Sequence, residues 1–126
     1  GLAHRAANQL SGGERARLML ARALSTQAPL LLADEAVAAL DPAHALSVMH
    51  LLRDRAAEGR CIVLVIHDLL LATRFCDHLV LMKEGTIVQS IPPADLTDDT
   101  VRAVYGVTTR RIEDGLVPWE SETPIR

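Results

Sequence analysis

Apolar residues recur along this chain with two different periods. Between Ser11 and about Ala28, Leu18, Ala21, Leu24 and Ala28 return every three or four positions, the spacing of one helix face. Ser11 and Glu14 form an S-x-x-E capping box at the start of that helix, and Pro29 ends it. Leu30-Leu31-Leu32-Ala33 then runs without a polar break, which predicts a short strand buried on both faces with Asp34 and Glu35 emerging at its C-terminal tip. Asp41-Pro42 is an N-cap followed by proline at the first helical position. The helix it opens carries Ala45, Val48, Met49, Leu52 and Ala56 on one side and closes at Gly59. Cys61 to Ile66 is a second continuous apolar run, predicting another buried strand with His67-Asp68 at its tip and a helix through about Cys76 behind it. Leu79–Met82 and Thr86–Ser90 flank Lys83-Glu84-Gly85, a hairpin turn with glycine where a positive φ is wanted. Beyond Pro92-Pro93, Thr97 to Tyr105 reads as a short helix stopped by Gly106, and Val107–Ile112 with Glu113-Asp114-Gly115 reads as a small terminal hairpin.

Strands alternating with helices predict an α/β fold with a mainly parallel sheet, the Leu79–Ser90 hairpin forming an antiparallel edge. In such sheets functional groups collect at the carboxyl ends of the strands, where Asp34, Glu35 and His67 fall.

The composition narrows the function classes. Of 126 residues, 49% are apolar and 23% charged, the balance of a folded globular chain. Aromatic residues make up 2%, namely Phe75, Tyr105 and Trp119, and the net charge is −3, which argues against a base-stacking nucleic-acid module. No apolar run approaches the roughly 20 residues that span a bilayer, and no signal peptide is seen, so any membrane link must come through a partner. Cys61 and Cys76 lack CxxC spacing and a local His cluster, and are expected to be buried free thiols in a reducing cytosol. The chain starts at Gly1, from which a truncated or processed N-terminus is expected.

Three stretches carry chemistry. In Leu10-Ser11-Gly12-Gly13-Glu14, a helix N-terminus offers unpaired amides and two glycines let an anion approach the backbone, although Ser11 can equally serve only as a cap. At the tip of Leu30–Ala33, Asp34 can hold magnesium through water while Glu35 accepts a proton from an attacking water; paired acids after a strand are otherwise an ordinary solvated loop start. His67 is placed to bond a terminal phosphate or orient the water, and taken alone would be a structural histidine.

The order and spacing decide among these readings. Leu10-Ser11-Gly12-Gly13-Glu14, the strand into Asp34-Glu35, Ala39-Leu40-Asp41 and the strand into His67-Asp68 resemble the signature motif, Walker B, D-loop and H-loop of an ATP-binding cassette (ABC) ATPase. Arg17 and Arg22 with their neighbours also match. A finer resemblance, to importers of iron-siderophore complexes, haem and cobalamin, rests on Ile66-His67-Asp68-Leu69, Ala72, Arg74-Phe75-Cys76-Asp77, Pro92-Pro93-Ala94-Asp95-Leu96 and Val104-Tyr105-Gly106-Val107. Against the family pattern, Ala36 and Val37 replace the usual proline and hydroxyl residue, Ala38 the common D-loop serine, and Ala16 a frequent glutamine.

The resemblance implies the C-terminal half of an ABC ATPase subunit, a partial P-loop NTPase fold. Residues 1–28 would end the helical subdomain, 29–90 would be the C-terminal part of the ATPase core, and 91–126 an extension. It implies ATP and Mg2+ as cofactors, with Asp34 toward the metal, Glu35 as general base and His67 at the γ-phosphate and water. Ser11, Gly12, Gly13 and Glu14 would face the ATP of a second subunit in a head-to-tail dimer, and Asp41 would couple the two sites. Membrane permease subunits would be the other partners, on the cytoplasmic face of the cell membrane, with no nucleic acid. No G-x-x-x-x-G-K-[ST] loop occurs, so the Walker A cradle is missing and the chain by itself is expected to be inactive. Two alternatives compete: a chromosome-maintenance ATPase head, disfavoured because no heptad run is present, and a truncated non-catalytic fragment.

Overall fold

The computed structural model describes residues 29–122. The Ser11–Ala28 helix and the Ser11, Gly12, Gly13 and Glu14 positions lie outside the described residues. The chain divides into two compact units, with the boundary between His67 and Asp68.

In the first unit, strand β1 (Leu30–Asp34), helix α1 (Pro42–Ala57) and strand β2 (Cys61–Val65) form a βαβ unit. The strands pair in parallel from Leu30 opposite Cys61 to Asp34 opposite Val65. Helix α1 starts where the sequence predicts: the Asp41 carboxylate accepts the His44 N–H, and Pro42 takes the first helical position, where a missing N–H costs nothing. Its expected apolar face is the buried one, through Ala45, Val48, Met49 and Leu52, and the helix touches β2. Gly59, at φ 98°, supplies the left-handed residue that turns the chain back toward β2.

Burial of these strands differs from the expectation. Leu31, Ala33, Ile62 and Leu64 are half-buried, but Leu30, Leu32, Val63 and Val65 are exposed, Leu32 by 71%. Successive side chains of a strand point to opposite faces, so cover on one side shields only every second residue. Cys61 belongs to the exposed set and Cys76 is half-buried, so the expected burial of both thiols is not found; neither forms a disulfide.

The second unit begins with helix α2 (Leu69–Phe75), capped by Asp68, whose carboxylate accepts the Leu71 N–H at 3.0 Å. An antiparallel hairpin of β3 (Leu79–Lys83) and β4 (Thr86–Ile91) follows, turning at Glu84 and Gly85 with both φ values positive. A short 3-10 helix (Pro93–Asp95) leads to helix α3 (Asp98–Tyr105), capped by Thr97 and ended by left-handed Gly106. Strands β5 (Val107–Ile112) and β6 (Gly115–Ser121) form the expected terminal hairpin.

Helix α2 lies against β6, and α3 against β5 and β3. Leu71, Ala72, Phe75, Leu79, Leu81, Leu96, Val101, Val104 and Leu116 are the buried apolar residues of this unit. Thr73, 4% exposed, fastens helix to hairpin: its hydroxyl donates to the Leu69 carbonyl at 2.8 Å and accepts the Leu116 N–H at 2.9 Å. Gly115 allows that approach, since a Cβ there would collide with Leu70 Cδ1. Asp98 ties α3 to β5 by accepting the N–H and hydroxyl of Thr109 at 2.7 and 2.9 Å.

Candidate functional site

Parallel pairing brings the tips of β1 and β2 to the same end of the first unit. The Glu35 N–H donates to the Val65 carbonyl at 2.8 Å, extending the ladder one step past Asp34. His67, two residues beyond β2, then reaches back, and its Nε2 lies 2.6 Å from Glu35 Oε1. Thus two of the predicted catalytic residues, 32 positions apart in sequence, are in direct contact.

The pair is open to solvent, with the His67 side chain 77% exposed and that of Glu35 45% exposed. Exposed ion pairs contribute little to stability, so this contact says more about chemistry than about holding the fold together. An ionised carboxylate only accepts hydrogen bonds, so in that state Nε2 carries the hydrogen. Glu35 itself stands at φ 51°, a left-handed conformation uncommon for a residue with a side chain. Glu35 thus lies just outside β1, and its position follows from this turn and not from the alternation of the strand.

Asp34 is the last residue of β1 and is exposed. Among the described residues no three His, Cys, Asp or Glu side chains cluster as a metal cage. Mg2+ commonly uses one or two carboxylates together with water and substrate phosphates, so a single carboxylate at a strand tip fits that ion and would not suffice for an all-protein site.

Asp41 plays a local role. Besides capping α1, its Oδ2 lies 2.6 Å from His44 Nδ1, and the His44 N–H and then the imidazole hold its carboxyl below the usual range. His44 was not singled out in the sequence, although D-P-x-H places it at the third helical position, where a capping-box residue reaches back. The signature positions Ser11 to Glu14 lie outside the described residues, so the geometry here concerns Asp34, Glu35, Asp41 and His67.

Comparison with known proteins adds to this geometry. The family model described as ABC transporter matches residues 1–38. The chain is 45% identical over 105 residues to a hemin import ATP-binding protein of Rhodococcus jostii, covering 82% of this chain and 36% of the relative. It is 47% identical over 105 residues to a cobalamin import ATP-binding protein of Halobacterium salinarum, covering 82% of this chain and 26% of the relative. A solved metal-chelate type ABC transporter in an inward-facing conformation superposes with a TM-score of 0.78 at 24% identity, over 90% of this chain and 49% of that one. The chain therefore spans about a quarter to a half of the length of these proteins.

Proposed function

Because the chain belongs to the ATP-binding subunits of ABC transporters over the part of their length that it spans, we propose that it supplies the hydrolytic half-site of such a subunit. The transport it energises is import of an iron complex, haem or cobalamin, a reading supported by the hemin and cobalamin import relatives. The observation that carries the proposal is the 2.6 Å contact between Glu35 and His67 at the ends of two parallel strands.

In this reading Glu35 takes a proton from the attacking water, and the single His67 N–H serves that carboxylate, as in this structure, or turns to the terminal phosphate of ATP when nucleotide is bound. Asp34 would hold Mg2+, which when bound neutralises charge on the phosphates. Ser11, Gly12, Gly13 and Glu14 would meet ATP held by a second subunit in a head-to-tail dimer, and Asp41 would lie near that junction. Permease subunits would hold the assembly at the cytoplasmic face of the cell membrane. No helix among the described residues is long and apolar enough to cross a membrane, so attachment through a partner fits this placement.

The test uses the subunit in which this chain is joined to a phosphate-binding half. Glu35→Gln preserves shape but cannot take a proton, and should lower turnover roughly 10²- to 10⁴-fold while ATP-dependent dimerisation persists. Wild-type turnover in that variant would remove Glu35 from its role. The 126-residue chain alone should bind a labelled ATP analogue poorly, and micromolar binding would count against the need for a separate phosphate cradle.

A further inference from the structure

We propose that His44 is a positioning residue: its imidazole fixes the Asp41 carboxylate and, through it, the Ala36–Leu40 turn that sets the conformation of Glu35. This inference rests on the reading of Glu35 as general base.

The turn is held in an unfavourable shape. Glu35 and Ala39 stand at φ 51° and 61°, and neither is glycine. Left-handed conformations strain residues that carry a Cβ, and persist only where the surroundings over-determine them. Within the turn the Ala38 N–H donates to the Glu35 carbonyl at 3.0 Å and the Leu40 N–H to the Val37 carbonyl at 3.3 Å, while Val37 is its one buried side chain. The ends must therefore do much of the holding. At the first end the Glu35 N–H is tied to the Val65 carbonyl. At the other end stands Asp41.

One residue engages both oxygens of that carboxylate. The His44 N–H donates to Oδ1 at 2.9 Å, and Nδ1 lies 2.6 Å from Oδ2. A single cap bond would leave the carboxylate able to turn about its Cβ–Cγ bond. Two bonds from one helical residue fix both of its torsions, and so the approach of the chain from Leu40 into α1. A solvent-exposed aspartate is ionised at neutral pH and can only accept, so at this 2.6 Å contact the hydrogen resides on Nδ1. With side chains 32% and 58% exposed, the pair adds little to overall stability. Its effect is local geometry.

The experiment compares wild type, His44→Ala and His44→Asn in the subunit that carries a phosphate-binding half. Asparagine places an amide N–H close to where the imidazole has Nδ1. His44→Ala should lower kcat about three- to tenfold, with KM for ATP and the thermal midpoint unchanged, and His44→Asn should recover most of the loss. Unchanged kcat in His44→Ala would overturn the inference, as would an equal loss in both variants or a loss matched by a falling midpoint. Imidazole 15N shifts give a readout independent of turnover. They should show a hydrogen on Nδ1 of His44 that is lost or shifted in Asp41→Asn; a bare Nδ1 in the wild type overturns the inference. A subunit that hydrolyses no ATP fails the proposed function, while these shifts still decide on His44.

Discussion

Replacing Thr73 by valine would remove one oxygen from the interior of the second unit while keeping the shape of the side chain. The Thr73 hydroxyl is the acceptor for the Leu116 N–H at 2.9 Å, and the two residues are 4% and 3% exposed. The substitution leaves that N–H where water does not reach, and a buried donor without a partner costs about 1–3 kcal/mol. Burying a methyl in place of the hydroxyl returns up to roughly 0.8 kcal/mol. The net loss should be about 0.2–2 kcal/mol, read as a lower urea midpoint at unchanged m-value. Amide hydrogen exchange localises it: if docking of the hairpin is what fails, protection at Leu116 should fall roughly tenfold for each 1.4 kcal/mol lost. An unchanged midpoint together with an equally slow Leu116 amide would refute the idea that Thr73 fastens helix to hairpin.

Asp98 sets an acid limit. The Thr109 N–H and hydroxyl, and then Arg102, hold its carboxyl below the ordinary 3.8. A depressed folded pKa gives stability that is present above the unfolded value and lost as pH falls through the folded one, so wild type should weaken below about pH 4. Asp98→Asn should flatten that part of the acid titration followed by circular dichroism, and an identical acid slope in both proteins would contradict this. Glu84 occupies a left-handed position, φ 51°, ahead of Gly85. Glu84→Asn should raise stability by about 0.5–1 kcal/mol in thermal unfolding, because asparagine tolerates that conformation better. Expressed alone, the 126-residue chain should self-associate in light scattering, since Leu30, Leu32, Val63 and Val65 form an exposed apolar face on a two-stranded sheet. A well-dispersed monomer with cooperative unfolding would show that the chain folds autonomously.

The starts and stops of elements were legible because they depend on local chemistry. Asp41-Pro42, Thr97, Gly59 and Gly106 act through their own backbone preferences, and each stands where its element begins or ends. That Glu35 and His67 fall at the carboxyl ends of apolar strands was also legible, whereas their contact was not, since it depends on which strands pair and in what register. Burial was less so. An apolar run such as Leu30–Ala33 states which surface can be buried, whereas which segment covers it is a property of packing. Leu32 accordingly stands exposed, and the same holds for Cys61. The left-handed backbone of Glu35 could not be read at all, since nothing in the glutamate side chain favours it. The partnership of His44 with Asp41 could have been found from the D-x-x-H spacing, because a third helical residue lies within reach of its own cap.

The pairing of β1 with β2 also acts as a ruler for the chemistry. Asp34 opposes Val65, and the acid that follows the first strand meets the histidine that follows the second. One step of slip would displace His67 by about 3.3 Å and turn each strand residue to the opposite face. That displacement exceeds the 2.6 Å contact it would have to preserve. Length changes in the 16-residue helix that joins the strands leave this alignment untouched, provided both ends still enter the ladder in step. Deleting one residue inside Leu30–Asp34 or Cys61–Val65 does not, and would carry the base off its histidine even where every side chain of the pair is kept.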